Sequence, residues 1–249
     1  MADIVLIHGA WAGSWVWDSL IDGLHGAGHR PHAVDLPGNG SDATPLAEVS
    51  LERYVEHVGT LIETLEGPVQ LVGHSGGGVT VTALAERYAE RIAGVSYVAG
   101  MMLPSGKGFA ELCVEMSRDF PEVSGIGPYL EPVEGGSQVP SDAACAVFFH
   151  DAPTQAALSA ARHLTVQPDG GRDIAAHWTP ERFGRLPRLY LEATRDRSVL
   201  PLVQQRMQQL VPGAERVALD CGHAPQLAAP EALLAALLDF FARHPNPVL

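Results

Sequence analysis

VQLVGHSGGGVT, at residues 69–80, is the stretch of sequence that decides the fold. Its first five residues form an apolar, β-rich run, which is typical of a strand buried on both faces of a sheet. Residues with helical spacing begin at Gly77, only a few positions later. The stretch therefore predicts a buried strand, a sharp turn and a helix.

The turn between this strand and this helix carries a serine between glycines. Gly73-His74-Ser75-Gly76-Gly77 fits G-x-S-x-G, the pattern that exposes a nucleophilic hydroxyl at the end of a sheet strand. Glycines suit such a turn because the serine backbone is strained and the chain must bend closely around it. A glycine-rich turn without chemistry is the alternative interpretation. A phosphate-binding loop is disfavoured, since neither a Lys-Ser/Thr ending nor G-x-G-x-x-G spacing is present.

The same alternation of strand and helix extends along most of the chain. Apolar runs predict strands at residues 4–7, 32–34, 69–73, 94–99, 188–193 and 215–219. Helical spacing predicts helices at 15–27, 51–66, 77–90, 201–210 and 230–243. Such alternation indicates an α/β fold with a doubly wound, mostly parallel sheet of at least six strands.

The alternation fails between residues 101 and 186, where Pro and Gly are scattered among helical pieces at 106–118 and 153–163. So long an interruption is more typical of an inserted cap than of a loop. We therefore expect an α/β core at 1–100 and 187–249, and a helical cap, called the cap segment below, at 101–186.

Charge and hydropathy exclude several kinds of partner. The chain has 249 residues, of which 16 are basic and 29 acidic, giving a net charge of −13. That charge repels phosphate backbones and anionic lipid headgroups, so neither nucleic acid nor a membrane is expected as a partner. The apolar stretch at 232–238 is far too short to span a bilayer.

Three separated cysteines, Cys113, Cys145 and Cys221, offer neither a disulfide framework nor a metal site of the CxxC type. The N-terminal residues MADIVLIHG lack the basic region of a signal peptide. We expect a cytoplasmic protein without a metal site. The sequence leaves open whether the chain forms a homodimer.

A nucleophilic serine needs a base and an acid, and position along the sheet selects them. His223 lies in DCGHAP, at 220–225, after the last predicted strand, where a loop can present an imidazole to Ser75. Asp196 follows the strand at 188–193 and is the expected acid; the alternative is a surface turn acid paired with a neighbouring arginine. Asp220 is expected to cap the loop instead. The remaining place for the acid holds Met101 and Met102, which cannot serve.

The order of these three residues, Ser75, Asp196 and His223, is the α/β-hydrolase order. Backbone N–H groups of Gly76 and Ala10 are the expected donors to an oxyanion, because both follow strands at the same sheet edge. Since such donors need no particular side chain, position alone supports them.

Six stretches together resemble one α/β-hydrolase family, which includes plant methylesterases, plant hydroxynitrile lyases and bacterial carboxylesterases of the pyrethroid-hydrolase type. They are HGAWAGSWVW at 8–17, DLPGNG at 35–40, GHSGG at 73–77, FFHD at 148–151, Gln167-Pro168, and GHAP at 222–225. The resemblance spans nearly the whole chain, and the first stretch is its most specific part. One departure is that four residues separate Asp196 from Pro201, one more than the family turn has.

The resemblance implies esterase chemistry without a cofactor, in a pocket roofed by the cap segment. The leading hypothesis is hydrolysis of a small to medium, largely apolar ester through an acyl-enzyme on Ser75. Four residues are candidate pocket contacts, although a plain core role is as reasonable for each: Trp11, Met101, Met102 and Trp178. A lyase on the same three residues and a slow-turnover receptor for small molecules remain the alternatives.

The resemblance also offers a way to separate esterase from lyase. The plant lyases carry a lysine directly after the catalytic histidine, where this chain has Ala224, and a threonine where it has Gly9. Neither alanine nor glycine can replace the missing cation or hydroxyl, which favours the esterase.

Overall fold

A computed structural model describes residues 1–245, so the last four residues of the predicted core range lie outside the described residues. Six parallel strands form the main sheet in the order β2-β1-β3-β4-β8-β9. Their bounds are β1 Asp3–Ile7, β2 Arg30–Val34, β3 Val69–His74, β4 Ile92–Val98, β8 Arg188–Ala193 and β9 Glu215–Leu219. The predicted α/β fold with a parallel, doubly wound sheet is confirmed.

Helices cover both faces of this sheet and bury its apolar strands. On one face lie α1 (Asp18–Gly26) and α10 (Pro230–Arg243), which share a core with Trp17 and Leu20. On the other lie α2 (Leu51–Thr64), α3 (Gly77–Arg87) and α8 (Pro201–Leu210). The short helix α9 (Pro225–Ala228) precedes α10. Central strands β1, β3 and β8 are buried throughout, which explains why most of their residues are apolar.

Strand order fixes where a site can form. The chain leaves β1 for β2 on one side and returns with β3 on the other, so the connections diverge between β1 and β3. Ligands of open α/β sheets bind at the carboxyl ends of the strands at such a point. Residues 8–11 after β1 and residues 75–77 after β3 meet there.

Between β4 and β8 the chain holds four helices, α4 (Phe109–Met116), α5 (Ser141–Val147), α6 (Thr154–His163) and α7 (Asp169–Arg172). It also holds a small antiparallel sheet of β5 (Glu131–Val133), β6 (Gly136–Gln138) and β7 (Gln167–Pro168), in the order β5-β6-β7. The cap segment was expected to be helical, and the sheet is a difference from that expectation. Strands of two or three residues are too short to give a periodic signal.

Among residues 1–245, no helix is both long enough and apolar enough to cross a membrane.

Candidate active site

Ser75 occupies the sharp turn that the sequence predicts between β3 and α3. Its φ angle is 52°, a left-handed conformation that a residue with a side chain rarely adopts. The turn is held on both sides: Ser75 N donates to Val98 O at 3.1 Å, and Ser75 O accepts from Met101 N at 2.9 Å. A Cβ at Gly77 would lie 2.5 Å from His8 O, so only glycine lets α3 approach the end of β1.

The structure brings Ser75, His223 and Asp196 together in one buried chain of hydrogen bonds. The distance from His223 Nε2 to Ser75 Oγ is 3.1 Å. His223 Nδ1 lies 2.8 Å from Asp196 Oδ2. Because the carboxylate can only accept, Nδ1 carries the proton and Nε2 presents its lone pair to the serine hydroxyl. The arrangement can therefore move a proton from Ser75 to His223.

Asp196 is not the arginine-paired surface acid of the alternative interpretation, since its side chain is buried. Its Oδ1 accepts from the backbone N–H groups of Ser198 at 2.7 Å and Val199 at 3.0 Å. Its Oδ2 also accepts from Gln204 Nε2 at 3.2 Å. Three donors besides His223 thus fix the carboxylate, and the extra residue before Pro201 does not turn it away from His223.

The loop of His223 is supported from behind by a second histidine. His74 Nε2 donates to His223 O at 2.8 Å, and the two ring centroids are 4.9 Å apart. Burial is the main cause that lowers the pKa of His74 to about 3, so this imidazole stays neutral. On the other side, the ring of Phe148 lies 5.3 Å from that of His223.

The two expected oxyanion donors lie side by side next to Ser75. Ala10 N is 3.6 Å from the position that a Cβ on Gly76 would take. Throughout the described part of the chain, neither the Ala10 N–H nor the Gly76 N–H has a hydrogen-bond acceptor. Both are therefore free to bind an oxyanion.

His8 orients the peptide that carries the Ala10 N–H. Leu36 N donates to His8 Nε2 at 3.0 Å, so the proton of the ring is on Nδ1. Nδ1 then donates to Gly9 O at 2.7 Å. Burial lowers the pKa of His8, which keeps the ring neutral and this arrangement intact. Because Gly9 O and Ala10 N–H belong to one planar peptide unit, fixing the oxygen also fixes the N–H.

A cavity of about 510 Å³ opens beside Ser75, Gly76 and Ala10. Most of its wall is apolar, with Trp11, Leu36, Val79, Met101, Phe109, Ile126, Ile174 and Val199. A much smaller crevice of about 30 Å³ borders both Ser75 and His223, and Phe148, Phe149 and Ala224 are among its other lining residues. The residues that line the large cavity do not include His223.

Two of the four candidate pocket contacts lie at the wall of the large cavity and two do not. Trp11 and Met101 line it. Met102 is fully buried in the core beneath, and Trp178 donates from Nε1 to Leu103 O at 2.9 Å and packs against Phe183. The structure thus places Met102 and Trp178 away from the wall of this cavity: Met102 packs in the core, and Trp178 is partly buried against it.

Asp220 also differs from its expected role as a loop cap. Its side chain is 87% exposed and pairs with Arg195 Nε at 3.0 Å. The loop before His223 is instead held by Asp151, whose Oδ2 accepts from Gly222 N at 2.6 Å. Sequence reasoning missed this role of Asp151, as it missed His8 and His74. The only signal was that all three lie in the stretches that carry the family resemblance.

Among residues 1–245, no group of three His, Cys, Asp or Glu side chains could hold a metal ion.

Comparison with known proteins agrees with this arrangement. A family model described as Alpha/beta hydrolase family matches residues 4–237. A pyrethroid hydrolase of Sphingobium wenxiniae is 31% identical, over 96% of this chain and 88% of that protein. Salicylic acid-binding protein 2 of Nicotiana tabacum is 28% identical, over 96% of this chain and 97% of that protein.

A solved structure shows the same overall course of the chain. The crystal structure of a pyrethroid hydrolase from Sphingobium faniae superposes with a TM-score of 0.83 at 30% identity, covering 98% of each chain. The likeness therefore includes the segment between β4 and β8 as well as the sheet.

Proposed function

Because the chain belongs to the alpha/beta hydrolase family, we propose that it is a serine carboxylesterase. The observation that carries this proposal is the hydrogen-bonded chain Ser75, His223 and Asp196, which reaches the wall of a mostly apolar cavity. The pyrethroid hydrolase among the relatives supports ester hydrolysis as the reaction. The substrate is a small to medium, largely apolar ester.

The reaction begins when Ser75 Oγ attacks the ester carbonyl while His223 Nε2 takes the hydroxyl proton. The carbonyl oxygen becomes an anion, which the N–H groups of Ala10 and Gly76 bind. When the tetrahedral intermediate collapses, the bond to the alcohol oxygen breaks and His223 gives its proton to that oxygen. An acyl-enzyme on Ser75 remains. Water repeats both steps, with His223 as base and then acid, and releases the carboxylic acid.

Asp196 has two tasks in this cycle. It keeps the proton of neutral His223 on Nδ1, so that Nε2 can accept from Ser75, and it stabilises the imidazolium that forms. Both tasks need the carboxylate to be held in one orientation. The two backbone N–H groups and Gln204 supply the hydrogen bonds that hold it.

The two cavities support a proposed assignment of the two halves of the ester. His223 must reach the alcohol oxygen to protonate it, and the small crevice borders both Ser75 and His223. The large cavity borders Ser75, but His223 is not among the residues of its wall. The acyl group therefore occupies the large cavity, and a small alcohol leaves on the side of the crevice.

A pair of isomeric esters tests this assignment. Methyl octanoate and heptyl acetate have the same atoms, but only the first places the long chain on the acyl side. Each buried methylene contributes about 0.8 kcal/mol, so we expect a kcat/KM at least about tenfold higher for methyl octanoate. Faster hydrolysis of heptyl acetate would reverse the assignment of the halves. Absence of any hydrolysis that depends on Ser75, across an ester library, would contradict the esterase itself.

The lyase alternative is disfavoured by the space around Gly9. A Cβ at Gly9 would lie 2.8 Å from Ser75 Cβ and 3.2 Å from His74 O, so this backbone leaves no room for a hydroxyl-bearing side chain. Ala224 is buried beside His223 and supplies no charge. Esterolysis needs neither group, since backbone amides bind its oxyanion.

We extend the proposal to the remaining features of the chain. The cap segment, 101–186, roofs the large cavity with Phe109, Ile126 and Ile174, which supports its role as a substrate cap on the core of 1–100 and 187–249. Three free thiols, at Cys113, Cys145 and Cys221, suit the reducing cytoplasm. Sedimentation velocity distinguishes a monomer from a homodimer.

A further inference from the structure

Trp11, which directly follows the proposed oxyanion donor Ala10, has an unusual backbone. Its φ angle is 61°, in the left-handed region that bulky residues avoid. The left-handed backbone of Ser75 is held by hydrogen bonds of its N–H and C=O groups to β4 and to the loop after it. Trp11 instead lies in the loop between β1 and α1. Such a conformation persists only where the surroundings over-determine it. The question is what holds Trp11.

The supports of Trp11 come from the cap segment. Gln167 Oε1, on β7, accepts from Trp11 N at 3.0 Å. Trp11 O accepts from Thr165 N at 2.8 Å. On the indole, Trp11 Nε1 donates to Ser137 O at 3.1 Å and to Ser137 Oγ at 3.3 Å. The small sheet of the cap segment, which the sequence did not predict, therefore binds the loop after β1.

Gln167 itself is held in a buried network. It is 2% exposed, and its Oε1 also accepts from Asn39 Nδ2 at 3.2 Å. Its Nε2 donates to Tyr54 OH at 3.3 Å, and that hydroxyl in turn donates to Asn39 Oδ1 at 3.1 Å. The amide therefore cannot flip without losing several bonds, and its oxygen stays directed at the Trp11 N–H.

The geometry points to Gln167 as a positioning residue for the oxyanion loop. Two peptide units flank the α-carbon of Ala10. His8 fixes the first through Gly9 O, and Gln167 fixes the second through Trp11 N. With both units fixed, the backbone angles of Ala10 are set, and its N–H keeps one direction towards the oxyanion. The cap segment then shapes the transition state as well as the substrate cavity.

Removing the acceptor at residue 167 leaves the buried Trp11 N–H without a partner. Thr165 N and Ser137 still bind Trp11, but the peptide between Ala10 and Trp11 loses the acceptor that sets its orientation, and the Ala10 N–H turns away from the oxyanion. Loss of one oxyanion donor typically lowers kcat by about 10²- to 10³-fold. Since this donor binds the transition state and not the ground-state ester, KM should change little.

The test rests on the proposed function and compares three variants in the full chain. Gln167→Met keeps the length of the side chain but removes the acceptor. Gln167→Glu keeps an acceptor oxygen for the Trp11 N–H. Ser137→Ala is the matched control, because it removes one side-chain contact to the same tryptophan while Ser137 O still binds the indole. We expect kcat about 100-fold lower for Gln167→Met, with a smaller loss for Gln167→Glu and none beyond about twofold for Ser137→Ala.

A second readout separates positioning from a general structural defect. A trifluoromethyl ketone forms a tetrahedral adduct on the serine whose oxyanion needs the hole, whereas the product carboxylic acid does not form such an adduct. We expect Gln167→Met to weaken binding of the ketone by about the same factor by which kcat falls. Inhibition by the carboxylic acid should stay unchanged within about threefold.

The inference is wrong if Gln167→Met keeps kcat and ketone affinity within about twofold of wild type, or if Ser137→Ala is equally damaging. If circular dichroism shows that Gln167→Met does not fold, Gln167→Glu decides alone. The inference then requires that Gln167→Glu folds and that its affinity for the ketone stays within about tenfold of wild type, because it keeps an acceptor for the Trp11 N–H. Wild-type turnover that depends on Ser75 is measured first. Its absence would overturn the proposed function, whereas a negative result at residue 167 in an active enzyme overturns this inference only.

Discussion

Replacing Asp196 with asparagine exchanges one carboxylate oxygen for an NH2 group of nearly the same size. Four donors converge on the carboxylate, two of them backbone N–H groups at Oδ1. Gln204 Nε2 and His223 Nδ1 share Oδ2. The backbone donors cannot move away, so the new NH2 group must take the side of His223.

That orientation forces the wrong tautomer on His223. An NH2 group can only donate, so His223 must present an unprotonated Nδ1 and carry its proton on Nε2, where it can no longer accept from Ser75. The negative charge that stabilises the imidazolium is lost as well. For a serine hydrolase the combined cost is about 10⁴-fold in kcat, or about 5.4 kcal/mol. KM should change little, because Asp196 does not line the large cavity.

Steady-state hydrolysis of an activated ester, with circular dichroism to establish folding, measures this effect. Asp220→Asn is the control, since its side chain is 87% exposed and its pair with Arg195 is a surface ion pair of small energetic weight. We expect its kcat to stay within about twofold of wild type. If Asp196→Asn keeps more than about a tenth of the wild-type kcat while Asp220→Asn loses it, the acid is wrongly assigned.

Four further outcomes follow from the same geometry. Ser75→Ala and His223→Ala should each lower kcat by about 10⁶-fold with the far-UV spectrum retained; wild-type turnover in Ser75→Ala would refute the nucleophile. EDTA should leave the rate of ester hydrolysis unaltered, because serine, histidine and backbone amides suffice for every step; a loss that zinc restores would contradict this. With mandelonitrile, cyanide release should be negligible beside hydrolysis of short and medium acyl p-nitrophenyl esters, and cyanide release faster than every ester would favour the lyase. Finally, burial lowers the pKa of His74 to about 3, so between about pH 6.5 and 3 the unfolded chain binds a proton that the folded chain does not. The free energy of unfolding should therefore fall as the pH drops through this window. In thermal unfolding, the melting temperature of His74→Gln should fall less steeply with decreasing pH than that of wild type, and an equally steep fall in both proteins would refute the argument.

The sheet and its order with the helices could be predicted from the sequence, because buried strands and amphipathic helices leave strong periodic patterns. The positions of Ser75, Asp196 and His223 could be predicted as well, since each lies within four residues of the end of a strand and parallel strands end at one sheet edge. Contacts between distant segments had no such signal. The side chain of Met102 packs downwards into the core although Met101, its neighbour, lines the cavity.

The cap segment illustrates the limit most clearly. Its three-stranded sheet is built from strands of two or three residues, and its proposed role depends on side chains that meet the core across more than a hundred positions of sequence. In the sequence, only the Gln167-Pro168 pair, which is part of the family resemblance, indicates where the cap segment contacts the loop after β1. No propensity or periodicity indicates that a glutamine will accept from the backbone of Trp11.

The cap segment holds both loops that flank Ser75, which changes what a cap does in this protein. Gln167 accepts from the loop after β1, next to Ala10, and Asp151 Oδ2 accepts at 2.6 Å from Gly222 N, next to His223. The core supplies the opposite supports, through His8 and His74. The proposed oxyanion donor and the proposed base are therefore each held between the core and the cap segment. A cap with this role is constrained at the residues that touch the two loops.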